Sequence, residues 1–173
     1  MSSVWPRAGS RCKLRLIISA VGRLKDGPER VLLERYQKRL EPLAKRLGLA
    51  PVSWHETGES RAGEAARRRE EEGVALLKPL REVDFIVALD VQGKSLSSEA
   101  VAGLLAEKRD GGTRAAGLLI GGPDGLGEAV LAAAHLRLSL GAITLPHGLA
   151  RIILAEQLYR AATILSGHPY HRA

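Results

Sequence analysis

The stretch LLIGGPDGLG, residues 118–127, passes from apolar side chains straight into a glycine-rich turn. Leu118, Leu119 and Ile120, with Gly117 ahead of them, read as the end of a buried strand. Gly121 and Gly122 then remove side chains where the strand ends, so backbone amides and carbonyls can approach a flat ligand such as adenine. Gly125 allows a positive φ before the next helix. Taken alone, Gly-Pro-Asp-Gly is also ordinary turn chemistry. Parallel α/β sheets bind ligands beyond the carboxyl ends of their strands, which makes this loop both a marker of fold and a candidate binding loop.

Two further loops have the same character: Leu89-Asp90-Val91-Gln92-Gly93-Lys94, and Gly141-Ala142-Ile143-Thr144-Leu145-Pro146-His147. Each follows an apolar run. Such runs recur at Leu14–Val21, Pro51–Trp54, Asp84–Leu89, Gly117–Ile120 and Leu136–Leu140, and helical patterns lie between them. Strand and helix therefore alternate, which predicts an α/β fold with a parallel sheet covered by helices on both faces. The first helix opens at Pro28 and carries Leu33, Tyr36, Leu40, Leu43 and Leu47 on one stripe before Gly48 ends it. Pro42 lies inside it, a position where proline kinks a helix. Arg35, Lys38, Arg39, Lys45 and Arg46 project from roughly the opposite face, either toward RNA or simply into water. Residues 59–72, with Arg67-Arg68-Arg69 before Glu70-Glu71-Glu72, read as an exposed loop entering a second helix. The last helix, Leu149–Leu165, has apolar residues on most of its circumference, so a second buried side is expected, as at a subunit interface. Glu156 and Arg160 stand four apart there and can pair.

With 173 residues, the chain can bury one good core and divides poorly into two. The excess of 26 Lys and Arg over 19 Asp and Glu favours a polyanionic partner without deciding which. A single cysteine, Cys12, excludes an intrachain disulfide or a cysteine metal cluster and points to a reducing, cytoplasmic setting. The basic residues Arg7, Arg11, Lys13 and Arg15 before Leu16–Val21 imitate a signal sequence, but the apolar run is short and reads better as a first strand. No stretch reaches a membrane span. Neither a Gly-x-Gly-x-x-Gly fingerprint nor a phosphate-loop Gly-Lys-Ser/Thr motif is present, which disfavours nicotinamide and nucleoside-triphosphate enzymes. His55 and His135 read as surface or cap residues. His147 sits at a helix start, where it can cap or line a pocket. The closing His168-Pro169-Tyr170-His171-Arg172 joins a stacking ring, two imidazoles and a guanidinium, a set suited to a nucleotide.

LLIGGPDGLG (118–127), LSLGAITLPH (138–147), LAEQLYRAATI (154–164) and HPYHR (168–172) occur in that order, after the opening KLRLIISAVG from Lys13 and LDVQGKSLSSE (89–99). Together they resemble the ribosomal RNA large subunit methyltransferase H family of the SPOUT superfamily, from about Lys13 to the end. The resemblance implies a single domain over 13–173 with a deep C-terminal trefoil knot. Residues 1–12, with Trp5 and Pro6, stand outside it as an N-terminal extension, either disordered or the result of a start placed too early. Gly148 departs from the proline of some members.

The resemblance further implies a homodimer and an S-adenosyl-L-methionine cofactor contacted by Leu89, Gly122, Gly141, Ala142, Ile143, Thr144, Leu145 and Pro146. Its reaction would be methyl transfer to N3 of a pseudouridine in 23S ribosomal RNA on the assembled 70S ribosome, in the cytoplasm, without membrane or metal. Alignment of the nitrogen with the sulfonium methyl would then be the protein's main task. Tyr170, His171 and Arg172 are the candidates for holding the target base, with His171 as proton acceptor, and they are expected to reach the partner subunit's pocket. Two other readings stay open at this point: a non-catalytic RNA- or ribosome-binding protein of the same fold, and a flavodoxin-like or Rossmann-like enzyme using another nucleotide.

Overall fold

In the computed structural model, which describes residues 13–172, the order is β1 (Arg15–Val21), α1 (Pro28–Leu47), β2 (Val52–Thr57), α2 (Ala65–Leu77), a 3₁₀ turn (Lys78–Leu80), β3 (Phe85–Ser95), α3 (Ser98–Asp110), β4 (Ala115–Ile120), α4 (Glu128–Ala133), β5 (Leu136–Ser139) and α5 (His147–Ser166). A second 3₁₀ turn, Pro169–Arg172, follows. The expected strands and helices are all present within a few residues of their expected bounds, except that β3 runs on to Ser95, beyond its expected end at Leu89. The N-terminal extension, Cys12 included, lies outside the described residues.

Every strand pair is parallel, and the sheet order is β2-β1-β4-β3-β5. This order removes the flavodoxin-like reading, whose sheet runs 2-1-3-4-5: here β4 is inserted between β1 and β3, and β5 is added beyond β3. Alternation along the strands divides the core. Leu16, Ile18 and Ala20 of β1 and Ala116, Leu118 and Ile120 of β4 face α1, α3 and α5, whereas Val21, Leu119 and Ile86 face α2, the Lys78–Leu80 turn and α4. Gly117 shows how tightly the second face closes, since a Cβ there would lie 2.1 Å from Leu80 Cδ2.

The helix α1 runs uninterrupted through Pro42 and is closed by Gly48 in the left-handed region, φ 72°. The central contact of the first face is α1 against α5, where Tyr36 meets Tyr159 with ring centroids 6.2 Å apart. All strands of a parallel sheet start at one end, so the three candidate loops, following β3, β4 and β5, emerge together at the other.

Candidate cofactor cleft

The three loops enclose a cleft of about 690 Å³, within the range that accommodates small ligands and cofactors. The wall from β3 arises through an interruption of pairing. Leu89 and Lys94 both pair with Leu138 of β5, so Asp90 to Gly93 arch out of the sheet between them. Asp90 Oδ1 accepts from the Gln92 amide at 3.1 Å and secures the arch, and Arg137 stands 3.8 Å from the other carboxylate oxygen.

After β4, Gly122 and Gly125 form a tight bridge, the Gly125 amide donating to the Gly122 carbonyl at 3.0 Å. Gly125 has φ 80°, which favours glycine. A Cβ on Gly122 would lie 2.9 Å from Val21 Cγ1 and 3.1 Å from Glu72 Oε2, so this position too is held to glycine by its neighbours. After β5, the Ser139 hydroxyl donates to the Gly141 carbonyl at 3.0 Å and accepts from its amide at 3.2 Å, pinning the turn at Gly141, φ 124°.

Leu89, Gly122, Gly141, Ile143, Thr144, Leu145 and Pro146 all line this one cleft, and Ala142 stands exposed outside its wall. His147 lines it as the first residue of α5, with Nε2 4.0 Å from Glu59 Oε1. Of the C-terminal candidates, Tyr170 lies elsewhere. Tyr170 packs along α5, its ring 4.7 Å from that of Tyr159 and 5.0 Å from the Arg160 guanidinium, and its hydroxyl donates to Glu156 at 3.2 Å. Burial, with Tyr36 and Glu156 beside it, pushes the Tyr170 phenol well above its ordinary pKa, so the group stays protonated. The side chains of His171 and Arg172 lie outside the described residues. Glu156 and Arg160 do pair, at 2.8 Å.

Three features went unread in the sequence. Glu72, at the end of the segment read as an exposed loop entering a helix, is 4% exposed; its Oε1 accepts from the Ser60 amide at 2.9 Å and its Oε2 has no hydrogen-bond partner among the described residues. Arg68 of α2 grips Asp124 of the glycine loop with two hydrogen bonds, 2.6 and 3.0 Å, and also donates to the carbonyls of Ala62 and Gly63. Arg151, 1% exposed, reaches from α5 to the Gly22 carbonyl at 2.7 Å, to the Val21 carbonyl and to Glu56 at 3.0 Å. His135 is exposed, as expected, yet its Nδ1 accepts from the Ile86 amide at 3.0 Å and ties the start of β5 to β3. Among the described residues, no group of three or more His, Cys, Asp or Glu could hold a metal ion, and no helix is long and apolar enough to cross a membrane.

The Arg68 guanidinium holds the Asp124 carboxyl below the usual carboxylate range. A carboxylate with its pKa depressed on folding contributes stability above its unfolded value, here 3.8, and loses it as the pH falls below that value. Asp124→Asn is therefore expected to weaken ligand binding in the cleft by roughly threefold to tenfold. The difference from wild type should be constant from about pH 8 to about pH 5. Calorimetric titration across that range checks this; a difference that fades above about pH 5 would mean that another group sets the loop.

The chain matches the family model described as predicted SPOUT methyltransferase over residues 14–171. It is 50% identical over 160 residues to the ribosomal RNA large subunit methyltransferase H of Xanthobacter autotrophicus, covering 92% of this chain and 100% of that protein. With the protein of the same name from Rhodopseudomonas palustris strain BisB18 the identity is 48%, with the same coverage. Among solved structures, a probable methylase family protein from Haemophilus influenzae superposes with a TM-score of 0.51 at 10% identity, covering 91% of this chain and 69% of that one. A probable methyltransferase from Bordetella pertussis gives 0.50 at 15% identity, covering 87% and 95%. At such identities these two likenesses speak for the fold alone.

Proposed function

This chain belongs to the ribosomal RNA large subunit methyltransferase H family of SPOUT methyltransferases, and from that premise we propose that it transfers the methyl group of S-adenosyl-L-methionine to N3 of a pseudouridine in 23S ribosomal RNA of the assembled 70S ribosome. The observation that carries the reading is the convergence of three strand-end loops on one cleft, each held to glycine at one or more positions by backbone geometry or close neighbours. The cleft suits the cofactor. Its volume and apolar lining accept a purine, and glycine backbone leaves polar edges within reach. The cofactor supplies an electrophilic methyl group on a cationic sulfur. The protein's share is to orient, to exclude water and to hold the acceptor nitrogen in line, where positioning provides most of the rate. The trefoil knot of the family belongs to the same reading, with the β5 loop and α5 as the threaded segment.

A homodimer completes the site. Val31 and Leu32 on α1 are 67% and 39% exposed, and Leu149 on α5 is 41% exposed; apolar side chains on two packed helices are what a second copy would cover. Tyr170 is held near the middle of α5 by Glu156, whereas the cleft is lined by that helix's first turn. The tail that carries Tyr170, His171 and Arg172 therefore serves the cleft of the partner subunit, where His171 takes the N3 proton and Arg172 offsets the charge left on the base. The intact loops favour this over a non-catalytic RNA-binding protein.

Methyl transfer from labelled cofactor to 70S ribosomes, separated subunits and naked RNA, followed by mass mapping of the labelled nucleotide, tests the proposal. Label on one pseudouridine of 23S RNA, obtained with 70S ribosomes alone, is the expected result. Cofactor binding without transfer to any RNA would sink the substrate assignment. Removal of Pro169 to Ala173 is expected to leave cofactor affinity in place and to lower transfer by at least about a hundredfold. Transfer that survives the truncation would remove the tail from the active site.

A further inference from the structure

The topology that gathers the loops at one end of the sheet gathers the starts of the strands, and the last turns of α1, α2 and α3, at the other. From the last turn of each helix through the first residue of the next strand, with Lys13 included, this far end holds nine basic residues and four acidic ones. The rest of residues 13–172 holds fifteen of each. The net positive charge of these residues thus resides at the end remote from the cleft. Three of the nine cations are consumed locally: Arg114 by Asp84 at 3.1 Å, Arg109 by Asp110 at 2.7 Å and Lys108 by Glu107 at 3.1 Å. Only Glu82 is left to face the other six, Lys13, Arg15, Lys45, Arg46, Lys78 and Arg81. All six are exposed, and none makes an ion pair or side-chain hydrogen bond among the described residues. Attraction to helix C-termini accounts for Lys45, Arg46 and Lys78, and in part for Arg81 after the 3₁₀ turn, but no helix ends at Lys13 or Arg15.

We propose that this far end is a second RNA-binding surface that grips a phosphate backbone separate from the segment carrying the target nucleotide. The proposal rests on the reading that ribosomal RNA is the substrate and adds where else the particle is held. A 20-residue α1 spans roughly 30 Å between the two ends. One short stem-loop seated at the cleft cannot also lie along the far end, whereas a cleft in a folded particle presents RNA to both. A need for the assembled ribosome follows from this second hold. A lipid surface fits less well, since among the described residues only Val74 of the large exposed apolar side chains lies toward this end.

The test is the fourfold variant Lys45→Glu, Arg46→Glu, Lys78→Glu, Arg81→Glu in the full chain, with steady-state methylation of 70S ribosomes at several salt concentrations. The KM for ribosomes is expected to rise at least about tenfold with kcat little changed, and the slope of log affinity against log salt to become shallower by about 3. Cofactor affinity should stay at the wild-type value, and the fall in melting temperature caused by reversing charge at the ends of α1 and α2 should leave the protein fully folded at the assay temperature. The charge-preserving exchange Lys45→Arg, Arg46→Lys, Lys78→Arg, Arg81→Lys should behave as wild type, and a fourfold glutamine variant should move KM the same way by less. An unchanged KM and salt slope in the glutamate variant, with wild type active, would overturn the second surface alone. So would an equal KM rise in the charge-preserving exchange, or binding of wild type to phosphatidylglycerol vesicles with ribosome KM unaffected by the charge reversal. A wild-type protein that transfers no methyl group to RNA would sink the substrate reading, and the surface with it.

Discussion

Gly93→Ala is expected to cost about 2 kcal/mol or more of stability, and at least tenfold in cofactor affinity, for the gain of one methyl group. Gly93 closes the arch by which β3 leaves the sheet at Leu89 and returns at Lys94, both opposite Leu138. A Cβ at this position would stand 2.6 Å from the Arg137 carbonyl carbon and 2.7 Å from the Leu138 amide nitrogen. These are backbone atoms of the neighbouring strand, so no change of rotamer relieves the clash, and β3 and β5 must part. Parting them moves two walls of the cleft at once: the Asp90–Val91 wall, which is the arch itself, and the Gly141–Pro146 wall, which is rooted in β5. For a domain of this size the stability loss corresponds to a fall of roughly 4–8 °C in melting temperature. Gly58→Ala is the matched control, since nothing lies within 4 Å of a Cβ there. It should be neutral or slightly stabilising. A Gly93→Ala protein with wild-type melting and cofactor titration would show that the pairing of β3 and β5 has slack.

Gly93 also marks where reading the sequence stops short. The five strands and their alternation with helices follow from apolar runs a few residues long, and glycine at 121, 122 and 141 identifies strand ends because loop chemistry is local. The order β2-β1-β4-β3-β5 is not local. Nothing in the residues of β4 announces that they enter between β1 and β3, because a fully buried strand reads alike in any central position. The same limit applies to side chains whose partners are distant in the chain. Arg68 and Asp124 stand 56 positions apart, and Glu72 looks like one more carboxylate in a solvated run until the β2–α2 loop brings the Ser60 amide onto it. Arg151 left more of a trace. It is a cation one turn after His147 in a helix otherwise ringed by Leu, Ile and Ala, and a charge on a buried helix needs a fixed counterpart. The tail shows the opposite case: its chemistry was legible, but its docking along α5 beside Glu156 was not.

Arg151→Met is expected to destabilise the protein by about 3–5 kcal/mol. The guanidinium is 1% exposed at the point where α5 leaves the cleft, and it performs three tasks there. It donates to the carbonyls of Val21 and Gly22 where β1 ends, and it pairs with Glu56 at 3.0 Å where β2 ends. Burial pulls its pKa below the ordinary arginine value, and Glu56 pulls it back. Methionine fills a similar volume but leaves two carbonyls without their donor, a loss that apolar packing does not restore. Glu56 keeps the Arg30 guanidinium of α1 at 3.1 Å and the Leu24 amide at 3.4 Å. Glu56→Gln should therefore cost less than Arg151→Met, and the double variant less than the sum of the two single ones, because the methionine has already removed the charge that Glu56 balances. The Gly141–Pro146 loop runs directly into the helix that Arg151 anchors, so cofactor affinity should fall together with stability, even at temperatures where the variant remains folded. Urea unfolding of the four proteins, paired with cofactor titration, reads both quantities. A loss below about 1 kcal/mol for Arg151→Met, or strict additivity with Glu56→Gln, would mean that water replaces the guanidinium and that the end of β1 holds its place without α5.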